Sequence, residues 1–212
     1  MKIINNKRDA IKELERISTR TNSDNNRKIN EIVEEILQEV KIYGDKAVEK
    51  YTKKFDGFKP IPMQVSSDEL KHAWDEIDNN LKLSLEVAHQ RIKRFHEKEI
   101  PSSFTIKGEH GDSVERRWKP VKKAGIYIPG GRAAYPSSVL MNAIPAKVAG
   151  VNEITMVSPG NKFGEINKTV LAAAHLSGIN KVFRIGGAQA IGALAFGTNQ
   201  INKVDVISGP GN

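Results

Sequence analysis

Four short loops carry the residues best suited to chemistry in this sequence: Pro129-Gly130-Gly131, Ser158-Pro159-Gly160, Gly186-Gly187 and Gly209-Pro210-Gly211. Glycine lets a backbone turn with positive φ and lets a ligand approach the main chain closely. Where a helix follows, its first turn adds free N–H groups and partial positive charge, a setting for a pyrophosphate. Ser137 and Ser138, just past the first loop, add hydroxyl donors. None of the four loops matches G-x-G-x-x-G, the usual dinucleotide fingerprint. Spacing alone therefore leaves two readings, a phosphate or nucleotide site and a set of structural turns.

Other chemistries find less to work with. His72, His89, His96, His110 and His175 include no pair at the i, i+4 spacing that turns two rings toward one metal. His89 and His96 share a helix face but stand two turns apart, about 10.5 Å, and read as surface residues. There is no cysteine, which excludes a disulfide framework, a thiolate metal site and a thiol nucleophile. No Ser–His–Asp grouping and no pair of acids stands out for acid–base work. Asp205 reads as a strand-end residue, and Trp74 and Trp118 as core or interface anchors.

The elements that must hold these loops alternate between strand and helix from Ala124 onward. Strands are expected over Gly125–Ile128, Glu153–Val157, Lys181–Ile185 and Asp205–Ile207, and helices over Pro136–Ala149, Glu165–Ser177 and Ala188–Phe196. That order predicts parallel βαβ units, whose ligands sit outside the carboxyl ends of the strands, where the four loops fall. Pro145 lies inside the first helix and is expected to kink or divide it.

Before Ala124 the pattern is helical. Ile29, Ile32, Val33, Ile36, Leu37 and Val40 mark an amphipathic helix ending near Gly44, and Asp45 is placed to cap a second over Lys46–Lys54. Ser66 or Ser67 caps a helix near Glu69–Ile77, and Leu81, Leu85, Ala88, Ile92 and Phe95 mark a long one over Asn80–Lys98. Residues 102–123 read as a hairpin turning at GEHGD. Charge marks the boundary: residues 1–123 hold 26 basic and 22 acidic side chains, and residues 124–212 only 7 and 3. The expected architecture is thus α/β, with a mainly helical segment over 1–123 and a Rossmann-like unit over 124–212.

The net charge of +8 divides evenly between the two parts and forms no basic stripe, which argues against nucleic acid as a partner. No window approaches the roughly 18 apolar residues of a membrane span. The first residues lack the apolar run of a signal peptide, and a cytoplasmic protein is expected.

GIYIPGGRAAYPSSVLMNAIPAKVAGV, IGGAQAIGALAFGT and KVDVISGPGN together resemble histidinol dehydrogenase, in the right order. GDKAVEKYTKKFDGF and the helix ending IKRFHEK agree with that family as well. The resemblance implies oxidation of L-histidinol to L-histidine through an aldehyde, with two NAD⁺ reduced in turn, in a homodimer holding one zinc per active site. It also implies that Tyr127, Gln189 and Asn212 contact NAD. Only the front half of the family pattern is matched, and the family's zinc ligands and catalytic glutamate–histidine pair belong after Asn212. The expectation is a Rossmann-like unit truncated at its C-terminal end and inactive alone, with a non-catalytic nucleotide- or partner-binding module as the alternative.

Overall fold

The computed structural model describes residues 3–18, 24–130 and 134–210. Five helices come first: α1 (Lys7–Ser18), α2 (Asp24–Tyr43), α3 (Asp45–Asp56), α4 (Ser67–Glu76) and α5 (Asn79–His96). The antiparallel hairpin β1 (Phe104–Lys107) and β2 (Ser113–Arg116) follows. The remainder is β3 (Lys123–Tyr127), α6 (Pro136–Val148), β4 (Glu153–Val157), α7 (Lys168–Leu176), β5 (Lys181–Phe183), α8 (Gly187–Phe196) and β6 (Val206–Ser208).

The four later strands form one parallel sheet in the order β5-β4-β3-β6. From β3 the chain winds outward through β4 to β5, then α8 carries it back to β6 on the other side of β3. This is the 3-2-1-4 portion of the doubly wound order. Alternate residues of each strand serve opposite faces. Ala124, Ile126, Ile154, Met156 and Val182 meet α4, α5, α6 and α7 in one core. Val157, Phe183 and Ile185 meet α2, α3 and α8 in the other. The β5 edge is covered, because Val65 N–H donates to the Val182 carbonyl at 2.8 Å and Arg184 N–H to the Met63 carbonyl at 3.0 Å. The outer edge of β6 has no strand partner among the described residues, and Val206 is exposed.

Local chemistry accounts for the boundaries. Ser66 accepts from the Glu69 amide at 3.1 Å to start α4, and Asp78 from Asn80 and Leu81 to start α5. Asp45 is not a cap: Gly44, with φ +55°, takes that position, and Asp45 is the first residue of α3. Pro145 does not divide α6. It sits near the C-terminal end of α6, so its missing N–H removes one bond, to Met141, an exposed residue. α7 begins at Lys168 rather than Glu165 because Asn167 accepts from the Thr169 amide and ends the preceding loop.

Helix α1 precedes the elements expected from the sequence, and none of its residues is buried. Both hairpin strands are exposed throughout. Trp118, expected as an anchor, lies on the surface with the Arg116 guanidinium 4.6 Å from its ring centroid. Trp74 does pack against the first core.

Candidate nucleotide site at the strand ends

The sheet reverses its winding between β3 and β6, so the crevice at their carboxyl ends is the topological switch point. Tyr127, the last residue of β3, is half-buried against the second core. Its hydroxyl oxygen accepts the Gly187 amide at 3.3 Å, linking β3 to the first turn of α8. Gly209, just past β6, lies against the other side of Tyr127: a Cβ there would stand 2.2 Å from the Tyr127 carbonyl oxygen.

Pro159 holds the remaining loops together. A Cβ on Gly130 would come within 2.6 Å of Pro159 Cγ, and one on Gly186 within 2.5 Å of Pro159 Cβ. These two glycines therefore answer to protein packing, the structural-turn reading of their loops. Gly187 differs, with φ +63° at the first residue of α8. A Cβ on it would meet Gln189 Oε1 at 2.7 Å. Gln189 itself is 1% exposed, and neither its Oε1 nor its Nε2 has a hydrogen-bond partner among the described residues. A buried amide with neither end bonded costs roughly 1–3 kcal/mol, which a polar ligand can recover.

Tyr127 and Gln189 thus meet the same residue, Gly187, one through its amide and one from behind. Asn212 lies outside the described residues. Ser208, at the end of β6, donates to Asn142 Oδ1 at 2.7 Å, and Asn142 Nδ2 donates to the Ser138 carbonyl at 2.7 Å. Asn142 therefore ties the first turn of α6 to the end of β6.

Beside these loops opens a cleft of about 610 Å³ lined by Pro129, Gly130, Ser158, Asn161, Glu165 and Lys168, among others. The wall after β4 is self-contained. Asn161 Oδ1 accepts the amides of Phe163 and Glu165 at 2.8 and 3.1 Å, and its Nδ2 donates to Glu165 Oε2 at 3.0 Å. Arg184 pins the same loop from behind, donating to Gly164 O at 3.4 Å and to Glu69 Oε2 at 2.7 Å. The sequence pattern starts a helix at Glu165, whereas the structure leaves that residue in the loop before α7. The available signal was Asn-Lys-Phe-Gly-Glu, an Asx-turn composition.

The histidines stay apart from this site. His72 pairs with Glu76 and His96 with Glu99 on the helix surfaces, at 2.7 and 2.5 Å, and the His175 ring faces Trp74. Partial burial holds His89 below the usual histidine range, and the nearby Lys93 adds to that. Asp205 lies at the opposite end of the sheet, where its carboxylate accepts the amides of Lys122 and Lys123, both at 2.9 Å. It is a strand-end clasp, as the sequence indicated. Among the described residues no three His, Cys, Asp or Glu side chains are grouped to hold a metal ion.

Fold and site together define a doubly wound α/β protein whose glycine loops converge on the switch point of a parallel sheet. The chain belongs to the histidinol dehydrogenase family, whose family model matches residues 19–212. Histidinol dehydrogenase of Prochlorococcus marinus strain MIT 9312 is 85% identical over all of this chain, which covers 48% of that relative. The enzyme of Clostridium acetobutylicum is 47% identical over 88% of this chain and 43% of its own length. The crystal structure of histidinol dehydrogenase from Elizabethkingia anophelis superposes with a TM-score of 0.83 at 40% identity, covering 87% of this chain and 42% of that one. The chain thus spans about half the length of the curated relatives it matches. No described helix is long and apolar enough to cross a membrane.

Proposed function

We propose that this chain provides the NAD-binding half of a histidinol dehydrogenase, with residues 124–212 holding the cofactor and residues 1–123 covering the sheet. The whole enzyme, on this reading, is a cytoplasmic, zinc-dependent homodimer that oxidises L-histidinol to L-histidine in histidine biosynthesis. NAD, when bound, supplies the hydride acceptor.

The observation that carries the reading is Gln189: a buried carboxamide in the first turn of α8, unpaired at both ends. An amide can donate and accept toward one ligand, which suits a nucleotide better than a simple anion. Tyr127 supports the same reading, because its hydroxyl accepts from Gly187 and keeps its own proton to donate. Asn212, beside the last glycine turn, is proposed as the third contact. Zinc fits none of the described residues, so no zinc ligand and no proton-transfer step is assigned to them.

Calorimetric titration of the 212-residue chain with NAD⁺ tests the proposal. Saturable binding that Gln189→Leu abolishes is expected, with no histidinol-dependent absorbance at the NADH band. Absence of saturable binding overturns it.

A further inference from the structure

Helices α5, α6 and α7 border a second cavity, of about 480 Å³, at the rim of the sheet opposite the glycine loops, where α6 and α7 end and β5 begins. α5 presents His89 and Lys93, four residues apart and so on one face. α6 presents Lys147 from its last turn, and Ser177 caps the end of α7. The floor is apolar, with Ile144 buried and Leu176 half-buried.

Charge and hydrogen bonding at this rim are out of balance. Lys147 reaches across to the neighbouring helix, its Nζ 3.8 Å from where a Cβ on Gly178 would stand. Glu97, the one acid of the lining among the described residues, is shared with Lys93 at 3.9 Å and leaves Lys147 and His89 without a carboxylate. Ser177 is 6% exposed, and its Oγ has no hydrogen-bond partner among the described residues. The lysines alone can answer the partial negative charge where α6 and α7 end. That does not account for the hydroxyl, whose burial without a partner costs stability that a ligand oxygen restores.

We propose that this cavity binds an organic monophosphate, with Lys93, His89 and Lys147 around the phosphate, Ser177 donating to one of its oxygens and the organic part against Ile144 and Leu176. The site lies apart from the nucleotide site and does not depend on it. Three nitrogen donors and a hydroxyl exceed what the two oxygens of a carboxylate take up, whereas a phosphate monoester offers three terminal oxygens and about −1.5 to −2 charge at pH 7.

His89 reports directly on occupancy. Partial burial, and then Lys93, hold its ring below the usual histidine range. Around it stand Glu86, Lys93 and Glu97 on α5 and Lys147 on α6, with Arg91 and Arg94 along the adjoining surface of α5, and α7 contributes no charged side chain to the lining. A dianion brought among these groups favours the imidazolium, so the ring titrates at higher pH when the site is filled.

The test titrates phenyl phosphate, inorganic phosphate and benzoate into the 212-residue chain while the His89 ring proton is followed by NMR, its signal assigned with His89→Gln. Phenyl phosphate is expected to saturate the shift with a Kd of about 1 mM or lower. It should bind at least about threefold tighter than inorganic phosphate, which lacks the apolar part, or benzoate, which lacks the third oxygen. With phenyl phosphate bound, the His89 midpoint should rise by about half a pH unit or more. Lys147→Gln should weaken binding about tenfold and Ser177→Ala about threefold, and neither should lower the melting temperature of the ligand-free chain. A His89 signal that ignores phenyl phosphate, an equal response to inorganic phosphate or benzoate, or undiminished affinity in Lys147→Gln overturns the proposal.

Discussion

The hydroxyl oxygen of Tyr127 receives the backbone amide of Gly187, 60 residues further along the chain, at 3.3 Å. One bond thereby fixes the end of the first parallel strand against the start of the helix that returns the chain across the sheet. Tyr127→Phe removes the acceptor while keeping the ring in the second core. A stability loss of about 0.5–1 kcal/mol is expected, because the Gly187 amide can turn to water. NAD⁺ affinity should fall by more than that loss accounts for, as titration beside urea unfolding would establish.

Gln189 has the opposite balance. Its amide is buried without a partner, so Gln189→Leu relieves an unpaid desolvation while keeping the volume. Unfolding of the ligand-free chain should become harder by about 1 kcal/mol, at the expense of NAD⁺ binding. A variant that unfolds more easily than wild type would show that the amide is already satisfied.

Two glycines separate strain from crowding. Gly209 has φ +147° and leaves no room for a Cβ against the Tyr127 carbonyl, whereas Gly57 has φ +79° with nothing within 4 Å. Gly57→Ala should cost about 1–2 kcal/mol from its left-handed conformation alone. Gly209→Ala should cost about 3 kcal/mol or more, since β6 must shift away from β3 as well. Denaturant midpoints of the two variants make the comparison.

Glu153 anchors the end of the sheet remote from the loops. The hydrogen bond from Lys181, at 2.7 Å, holds its carboxyl below the ordinary glutamate value of 4.5, with Asn202 and the charges of Lys181 and Lys123 acting the same way and burial opposing them. The folded state therefore favours the ionised form. Its contribution is complete above pH 4.5 and disappears as pH falls below that value through the lowered folded pKa. Glu153→Gln should lose about 1 kcal/mol at pH 7 and show a shallower acid decline, as urea unfolding at pH 7 and pH 3.5 would record.

The hairpin makes a negative prediction. Ile106 and Val114 face each other across β1 and β2 and remain 62% and 71% exposed. Replacing both by serine should shift the unfolding midpoint by no more than about 0.5 kcal/mol. Light scattering of the concentrated protein should fall.

Most of the parallel unit was legible because its strands are apolar runs bounded by glycine and its helices are rich in small residues. Glu153–Val157 is a strand with the expected limits, and Lys181 begins β5 as expected. The errors fall where a single residue, through a side-chain hydrogen bond or a positive φ, decides the boundary. Asn167, not Glu165, starts α7, because a carboxamide one residue before Lys168 outbids the helical pattern that continues upstream. Gly44 rather than Asp45 caps α3, since the turn there requires positive φ. Helix α1 is absent from the expected elements although Ile11, Leu14 and Ile17 stand at helical spacing, and none of its residues is buried. Within the site, Tyr127 and Gln189 were named from family likeness. Their meeting at Gly187 depends on a return crossover that local spacing does not encode.

The two cores also set an order of events during synthesis. Ile36, Val40, Val48 and Tyr51 bury themselves against Phe183, Ile185 and Leu194, and Leu70, Ala73 and Leu85 share a core with Ile126, Ile144 and Ile154. The helices that leave the ribosome first therefore have apolar faces whose partners are still unmade. They must wait, with those stripes open to water and to chaperones, until the parallel strands emerge more than a hundred residues later for the longest of these pairings.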